Sequence, residues 1–178
     1  MRRLKASKST QRHIRSVVPV DAEQILDLYC SIVEEEVFFA TCIQDRCRSI
    51  EEQQLFIHKA ITQHNCAAWV YCQEDVIVGS LFILGGDLIR TSHLGELELQ
   101  VDKEHRRLGI GRALLHTALE SMRRNPMIHK VQLSVLADNI SAIKLYKQLG
   151  FEQEGEIKGA LKEPTGQYRS ELIMGLWV

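Results

Sequence analysis

One segment constrains this chain more than any other: LGELELQVDKEHRRLGIGRALL, residues 94–115, in which a strand-like run passes through two glycines into a helix-like run. Apolar residues alternate imperfectly with glutamates over 94–101, which predicts a strand with one polar face. Gly109 and Gly111 then stand where the helix is about to begin. The segment therefore predicts a strand–turn–helix unit whose turn has unusual backbone requirements.

The residues that follow extend this unit to a second strand. Leucine, alanine and methionine recur at helical spacing after Gly111, and two arginines and Asn125-Pro126 then predict the end of the helix. The apolar run KVQLSVL at 130–136 is typical of a strand. A strand–helix–strand connection of this length is a right-handed crossover, so the two strands are predicted to be parallel.

The rest of the chain predicts hairpins and helices around this crossover. The predicted elements are a strand over 12–18, helices from Asp21 to about Val33 and from Ser49 to about Gln63, a hairpin over 67–84 around Glu74-Asp75, a helix over 138–151 and a final strand over 166–178. Hairpins give antiparallel pairs. The order β-α-α-β-β-β-α-β-α-β-β therefore predicts a mixed α/β fold, a mostly antiparallel sheet with one parallel crossover and helices on both faces.

Three short patterns predict where helices begin and end. Asp21 with Gln24, and Ser49 with Glu52, have the spacing of a capping box at a helix N-terminus. Gly150 stands where a left-handed C-terminal cap is expected, with an apolar residue after it.

The turn at 105–112 has the composition of a phosphate site. A helix N-terminus presents unpaired N–H groups and a positive dipole end, and Arg106, Arg107 and Arg112 add charge. The P-loop pattern G-x-x-x-x-G-K-[ST] is absent, and Leu114 stands where a dinucleotide fingerprint needs a third small residue. On spacing alone, phosphate binding and tight helix packing explain the glycines about equally well.

Composition limits the class of protein and its partners. The chain has 178 residues, a formal net charge of −1 and no apolar run long enough to span a membrane, so we expect neither nucleic acid nor a membrane as partner. Five cysteines without a C-x-x-C pair, and histidines without H-x-x-x-H spacing, predict reduced thiols in a cytoplasmic protein and no metal site. Residues 1–11 are basic and polar and are predicted to be a flexible tail.

Two motifs together resemble a known family. The run from Arg106 to Gly111 resembles the acetyl-CoA-binding motif [Q/R]-x-x-G-x-[G/A] of the GNAT N-acetyltransferase superfamily. The run ADNISAIKLYKQLGF carries that family's N-x-x-A-x-x-x-Y-x-x-x-G-F pattern at Asn139, Ala142, Tyr146 and residues 150–151. The resemblance covers roughly residues 13–178 and implies a GNAT domain over residues 12–178.

The resemblance implies that the acetyl group of acetyl-CoA passes directly to a primary amine of a small molecule or a peptide N-terminus. Tyr146 is implied as the acid that protonates the departing thiolate, and Asn139 as a helix cap that also contacts the cofactor. Further cofactor-binding residues implied by the family are Leu99, Gln100 and Val101 for the pantetheine arm, and Arg106, Arg107, Leu108, Gly109, Ile110, Gly111 and Arg112 for the pyrophosphate. Acetyl-CoA and an amine acceptor are the expected partners, and a homodimer is allowed.

The general base stays open between two residues. Glu96 and Glu98 share the polar face of the strand beside the cofactor arm, and either could accept the amine proton, directly or through water. Some relatives carry a glutamate at the position of Ser134, which this chain lacks. Further acids, namely Glu34, Glu35, Glu36, Glu154 and Glu156, favour either a cationic acceptor or ordinary surface charge. A CoA-binding sensor or interaction module that has lost turnover is the alternative function.

Overall fold

The computed structural model describes residues 12–35 and 48–178. Within these residues the strands are β1 (Arg12–Ser16), β2 (Ala67–Gln73), β3 (Val76–Gly85), β4 (Leu94–Val101), β5 (Lys130–Leu136), β6 (Glu152–Lys162) and β7 (Tyr168–Trp177). The helices are α1 (Ala22–Val33), α2 (Ile50–Thr62), α3 (Ile110–Met122) and α4 (Ile140–Gln148). The predicted tail, residues 1–11, lies outside the described residues, so it stays a prediction.

The described strands form one sheet in the order β1-β2-β3-β4-β5-β7-β6. Each neighbouring pair is antiparallel except β4 and β5, which run parallel on either side of the α3 crossover. This confirms the predicted mixed α/β fold with its single parallel step.

Two apolar layers hold helices against opposite faces of the sheet. On one face, residues of α3 and α4 pack with alternate residues of the central strands, including Leu81, Leu97 and Leu133. On the other face, residues of α1 and α2 pack around Val70, Ile77 and Phe82. Because side chains alternate across a strand, β4 directs Leu97, Leu99 and Val101 to the α3 side and Glu96, Glu98 and Gln100 to the α1 side.

The capping box predicted at Asp21 is wrong. A 3₁₀ turn, Pro19–Asp21, leads directly into α1 and holds Asp21 at φ −76° and ψ −7°, outside the extended region that an N-cap side chain needs. Its carboxylate pairs instead with Arg15 at 2.7 and 2.8 Å and accepts the Val18 N–H at 2.9 Å. Gln24 is also used elsewhere, accepting the Ile77 N–H at 2.9 Å.

The other two signals for helix ends are confirmed. The Ser49 hydroxyl accepts the Glu52 N–H at 3.2 Å, and the Glu52 carboxylate accepts the Ser49 N–H at 2.6 Å. Gly150 has φ +95°, and the amides of residues 150 and 151 bond back to Lys147 and Tyr146, as in a Schellman motif.

Candidate active site

The site begins where the two parallel strands separate. β4 and β5 pair at Leu94–Lys130, Gly95–Val131 and Glu96–Gln132, and at no later position in the described residues. Beyond Glu96, β4 continues against β3 as far as Val101, and β5 continues against β7 as far as Leu136. The sheet therefore opens between them, and the second half of β4 has one edge without a strand partner.

A cavity of about 770 Å³ occupies this opening. It brings together thirteen of the fourteen residues assigned from sequence to catalysis or cofactor binding: Glu96, Glu98, Leu99, Gln100, Val101, Arg106, Arg107, Gly109, Ile110, Gly111, Arg112, Asn139 and Tyr146. Leu108 does not line it, and its side chain is 57% exposed. A contribution of Leu108 would therefore come from its main chain.

Leu108, the one assigned residue that does not line the cavity, belongs to the turn between β4 and α3. In this turn the N–H groups of residues 107–112 have no hydrogen-bond acceptor among the described residues, and the first helical bond runs from the Ala113 N–H to the Gly109 carbonyl at 3.0 Å. Such unpaired amides at a helix N-terminus favour an anion. The geometry thus agrees with the expected pyrophosphate position.

The two glycines of the turn have different structural reasons. Gly109 has φ +85°, a left-handed conformation that side-chain-bearing residues rarely adopt. Gly111 is helical, and a Cβ added there would lie 3.5 Å from Leu99 Cδ2 and 3.6 Å from Leu145 Cδ2. Of the two glycines, only Gly109 therefore has a positive φ, although Arg107 of the same turn also has one, at +65°. Gly111 instead leaves space between Leu99 of β4 and Leu145 of α4.

The three arginines of the turn are not equivalent. The Arg106 guanidinium pairs with both carboxylate oxygens of Glu35 at 2.7 and 2.6 Å and donates from Nε to the Val101 carbonyl at 3.0 Å. Its charge is therefore neutralised by the end of α1, which differs from the expected addition of charge around a phosphate. Arg112 donates to the Gln148 side chain on α4.

Helix α4 carries Tyr146 to the cavity. The helix begins at Asn139, whose Oδ1 accepts the Ala142 N–H at 3.2 Å, so the predicted cap is confirmed. The Tyr146 side chain is 7% exposed, and its ring meets Phe151 edge-on at 5.7 Å between centroids. Its hydroxyl has no hydrogen bond within the described part of the chain, although no fully buried polar side-chain atom there lacks one. The hydroxyl therefore opens into the cavity, and burial raises its pKa to about 12.

Glu98 and Glu96 differ in environment although they share one face of β4. Glu98 is partly buried opposite Phe82 of β3. Burial raises the pKa of Glu98, the charge of Arg48 lowers it, and the charge of Glu96 raises it further. Glu96 is exposed. Ser134, where some relatives have a glutamate, is exposed and lines the cavity.

The structure adds Tyr29, Ile32 and Arg48 to the cavity wall. The sequence analysis missed them because α1 and Arg48, which stands two residues before α2, lie far from β4 along the chain. The Ser49 capping box marks the start of α2, but nothing local indicates that the preceding arginine faces the polar side of β4.

The described members of the further acids singled out in the sequence are not among the residues that line the cavity, whereas Glu171 of β7 is. Glu35 is paired with Arg106, and Glu154 is paired with Lys130 at 2.7 Å. Glu34 and Glu156 are exposed and do not line the cavity. Glu36 lies outside the described residues. The pairs and the exposure support ordinary surface and structural roles for the four described acids.

Across residues 12–35 and 48–178, no group of three or more histidine, cysteine, aspartate or glutamate side chains is arranged to hold a metal ion. In the same ranges, no helix has the length and apolar character needed to cross a membrane.

Comparisons with known proteins agree with this geometry. The acetyltransferase (GNAT) family model matches residues 29–151. An L-amino acid N-acetyltransferase of Escherichia coli is 34% identical over 86 residues, which cover 48% of this chain and 53% of the relative. The chain thus spans about half the length of the first curated relatives that it matches.

Solved structures extend the likeness to nearly the whole chain. An acetyltransferase of the GNAT family from Streptococcus pneumoniae superposes with a TM-score of 0.89 at 24% identity, covering 94% of this chain and 100% of that one. A Salmonella typhimurium protein solved with its cofactor acetyl-CoA has a TM-score of 0.84 at 19% identity and covers 94% of each chain. These likenesses show the fold. Together with the family match, which includes the turn at 107–112 and Tyr146, they show that the chain belongs to the GNAT family of acetyltransferases.

Proposed function

We propose that this protein transfers the acetyl group of acetyl-CoA directly to a primary amine of a small molecule or of a peptide N-terminus. One observation carries the proposal: a single cavity joins the unpaired amides of residues 107–112 to the Tyr146 hydroxyl and to Glu98. Residues 12–178 are taken as one catalytic domain.

The residues present fit acetyl-CoA at three places. The amides of residues 107–112 would hold the pyrophosphate, since they lack acceptors within the described residues. The open edge of β4 over residues 97–101 would pair with the amides of the pantetheine arm, as an added strand does. Gly111 would leave room for the arm, because its missing side chain faces Leu99 and Leu145.

The chain's own residues supply the proton transfers. When bound, acetyl-CoA provides the acyl group: an amine nitrogen forms the amide bond, and the carbon–sulfur bond breaks. Glu98, directly or through water, accepts the proton that the ammonium must lose before attack. Tyr146 donates its hydroxyl proton to the leaving sulfur. The nitrogen releases its second proton to solvent after attack, and Tyr146 regains a proton from solvent. The raised pKa of Glu98, caused mainly by burial, makes it a stronger base than an ordinary glutamate.

The comparisons support this proposal without extending it. Acetyl-CoA is bound by the Salmonella typhimurium neighbour, which shares the fold. The Escherichia coli relative is named for L-amino acids, which are primary-amine acceptors. The bound acetyl-CoA and the amino-acid acceptor are properties of those two proteins, so the acceptor of this chain is tested directly.

The deciding experiment separates an enzyme from a CoA-binding sensor. Calorimetry measures binding of acetyl-CoA, and thiol release is followed with amino acids, peptides, polyamines and aminoglycosides. We expect binding and thiol release that depends on the acceptor, with the acetylated product identified by mass. Tight binding without release for any acceptor would favour the sensor, and an absence of binding would contradict both functions.

A further inference from the structure

Arg48 is a cation of the cavity that the proposed chemistry does not use. It stands two residues before α2, and its guanidinium carbon lies 4.2 Å from the centre of the Phe56 ring and 5.4 Å from the centre of the Tyr29 ring. Its Nη1 donates to Gln53 Oε1 at 3.5 Å. These contacts hold the guanidinium in place while leaving most of its five N–H donors available.

Glu98 is the acidic residue that the proposed reaction uses, and its carboxylate forms no ion pair with the Arg48 guanidinium. The charge of Arg48 lowers the pKa of Glu98, so the groups interact across the cavity. Nevertheless, no ion pair within 4.0 Å joins them, although the same chain pairs Arg106 with Glu35 at 2.6 Å. Because both residues line the cavity without forming an ion pair, a ligand bound there could contact both charges.

A stack of rings fixes this separation. Glu98 stands opposite Phe82 in the β3–β4 register. The Phe82 ring packs against the Phe56 ring of α2 at 4.8 Å between centroids, and Arg48 lies over the Phe56 ring. Since Phe82 is 1% exposed, the spacing between the cation and the anion is set by the core.

Arg48 also lies on the wrong face of the sheet to serve the cofactor phosphates. Its ring partners belong to α1 and α2, whereas the amides of residues 107–112 begin α3 on the opposite face. Glu98 points to the same α1 side, from which the acceptor would reach the cavity. An anion bound by Arg48 would therefore be part of the acceptor.

We infer that the acceptor is a zwitterion in which a primary amine and a carboxylate lie close together, as in a free amino acid, with Arg48 binding the carboxylate and Glu98 facing the amine. The inference rests on the proposed acetyl transfer and names its substrate class. A guanidinium offers two parallel N–H donors that match the two oxygens of a carboxylate. A polyamine would instead place a second positive charge beside Arg48, which disfavours it by like-charge repulsion.

The test compares acceptors that differ only in the carboxylate. Thiol release is measured for wild-type protein with the proteinogenic L-amino acids, each beside its amide and its decarboxylated amine, and with spermine. We expect at least one amino acid to be used with a kcat/KM roughly 10- to 100-fold above its amide, because hydrogen bonds to charged groups contribute about that factor.

Two variants assign the effect to the side chain. Arg48→Gln should lower kcat/KM for the amino acid by roughly 10- to 100-fold while changing that for the amide by less than about threefold. Arg124→Gln removes an exposed arginine near the far end of α3, about 20 Å along that helix, and should change neither. Unchanged acetyl-CoA binding and thermal unfolding of Arg48→Gln show that the variant is folded.

The outcomes separate this inference from the proposed function. A preference of the wild type for amides, decarboxylated amines or spermine would overturn the zwitterion while supporting acetyl transfer. An equal loss for amino acid and amide in Arg48→Gln would also overturn it. Bound acetyl-CoA without thiol release for any acceptor would overturn the proposed function itself.

Discussion

The Tyr146→Phe variant tests whether the Tyr146 hydroxyl acts as a general acid or the side chain only packs in the core. The change removes one oxygen and keeps the ring and its edge-on contact with Phe151. The hydroxyl has no hydrogen bond among the described residues, so the free energy of unfolding at neutral pH should change by no more than about 0.5 kcal/mol. If the hydroxyl protonates the leaving sulfur, kcat should fall by about 10² to 10⁴, which corresponds to roughly 3–5 kcal/mol of activation free energy.

The high pKa of Tyr146 predicts how both effects depend on pH. Since burial raises it from 10.0 to about 12, the hydroxyl stays protonated below pH 10, and the loss of rate should be the same at every pH up to that value. Above pH 10 the unfolded tyrosine ionises while the folded one resists. The wild type should therefore lose up to about 3 kcal/mol of stability between pH 10 and 12, and Tyr146→Phe should not share this loss.

Steady-state kinetics and chemical denaturation of the same preparations check these expectations. Tyr146→Ala serves as the matched packing control: it should lose about 3–5 kcal/mol of stability because the ring leaves a hole. Normal turnover by a folded Tyr146→Phe would refute the reasoning and reduce the residue to core packing.

The remaining predictions concern the base and the turn. Glu98→Gln should lower kcat/KM most at acid pH, and the rate should recover as free amine accumulates. Glu96→Gln should keep the maximal rate and shift the profile only slightly to lower pH, because it removes a charge that raises the pKa of Glu98. Identical profiles for all three proteins would assign the proton to solvent. Because burial raises the folded pKa of Glu98, ionising it costs stability as pH rises through that pKa, so Glu98→Gln should unfold no more easily than wild type at neutral pH. Gly111→Val should abolish acetyl-CoA binding in calorimetry with little change in the free energy of unfolding. Gly109→Val should also lose about 1–2 kcal/mol of stability, because valine would have to adopt the left-handed backbone conformation of Gly109. Retained binding by Gly111→Val would contradict the proposed path of the cofactor.

Local patterns were sufficient for most elements of the fold. The strand at 94–101, the crossover helix and the strand at 130–136 could be predicted because apolar periodicity and chain handedness act over short distances. The Ser49 capping box and the Gly150 cap were equally local, since each is formed by residues three to five apart. The resemblance proposes cofactor-binding residues in the turn at 107–112 and in β4, and consecutive residues of these two elements line the cavity.

Predictions from local patterns were wrong where the side chain binds a residue outside the pattern. Asp21 has the spacing of a capping residue, but Arg15 and the Val18 N–H take its carboxylate, and Gln24 is drawn to the β2–β3 hairpin. The sequence likewise placed Arg106 among the charges of the turn, although Glu35 neutralises it from 71 positions away.

The sequence by itself determined the order of elements, the parallel crossover and the residues of the turn and of α4, because each depends on neighbours along the chain. Only the tertiary structure decided which charges meet. It brought Arg48 into the cavity of Glu98 through the Phe56–Phe82 stack, paired Arg106 with Glu35, and gave the two glutamates of β4 different exposure. The physical reason is that charge interactions and burial depend on distance in space, which periodicity does not encode.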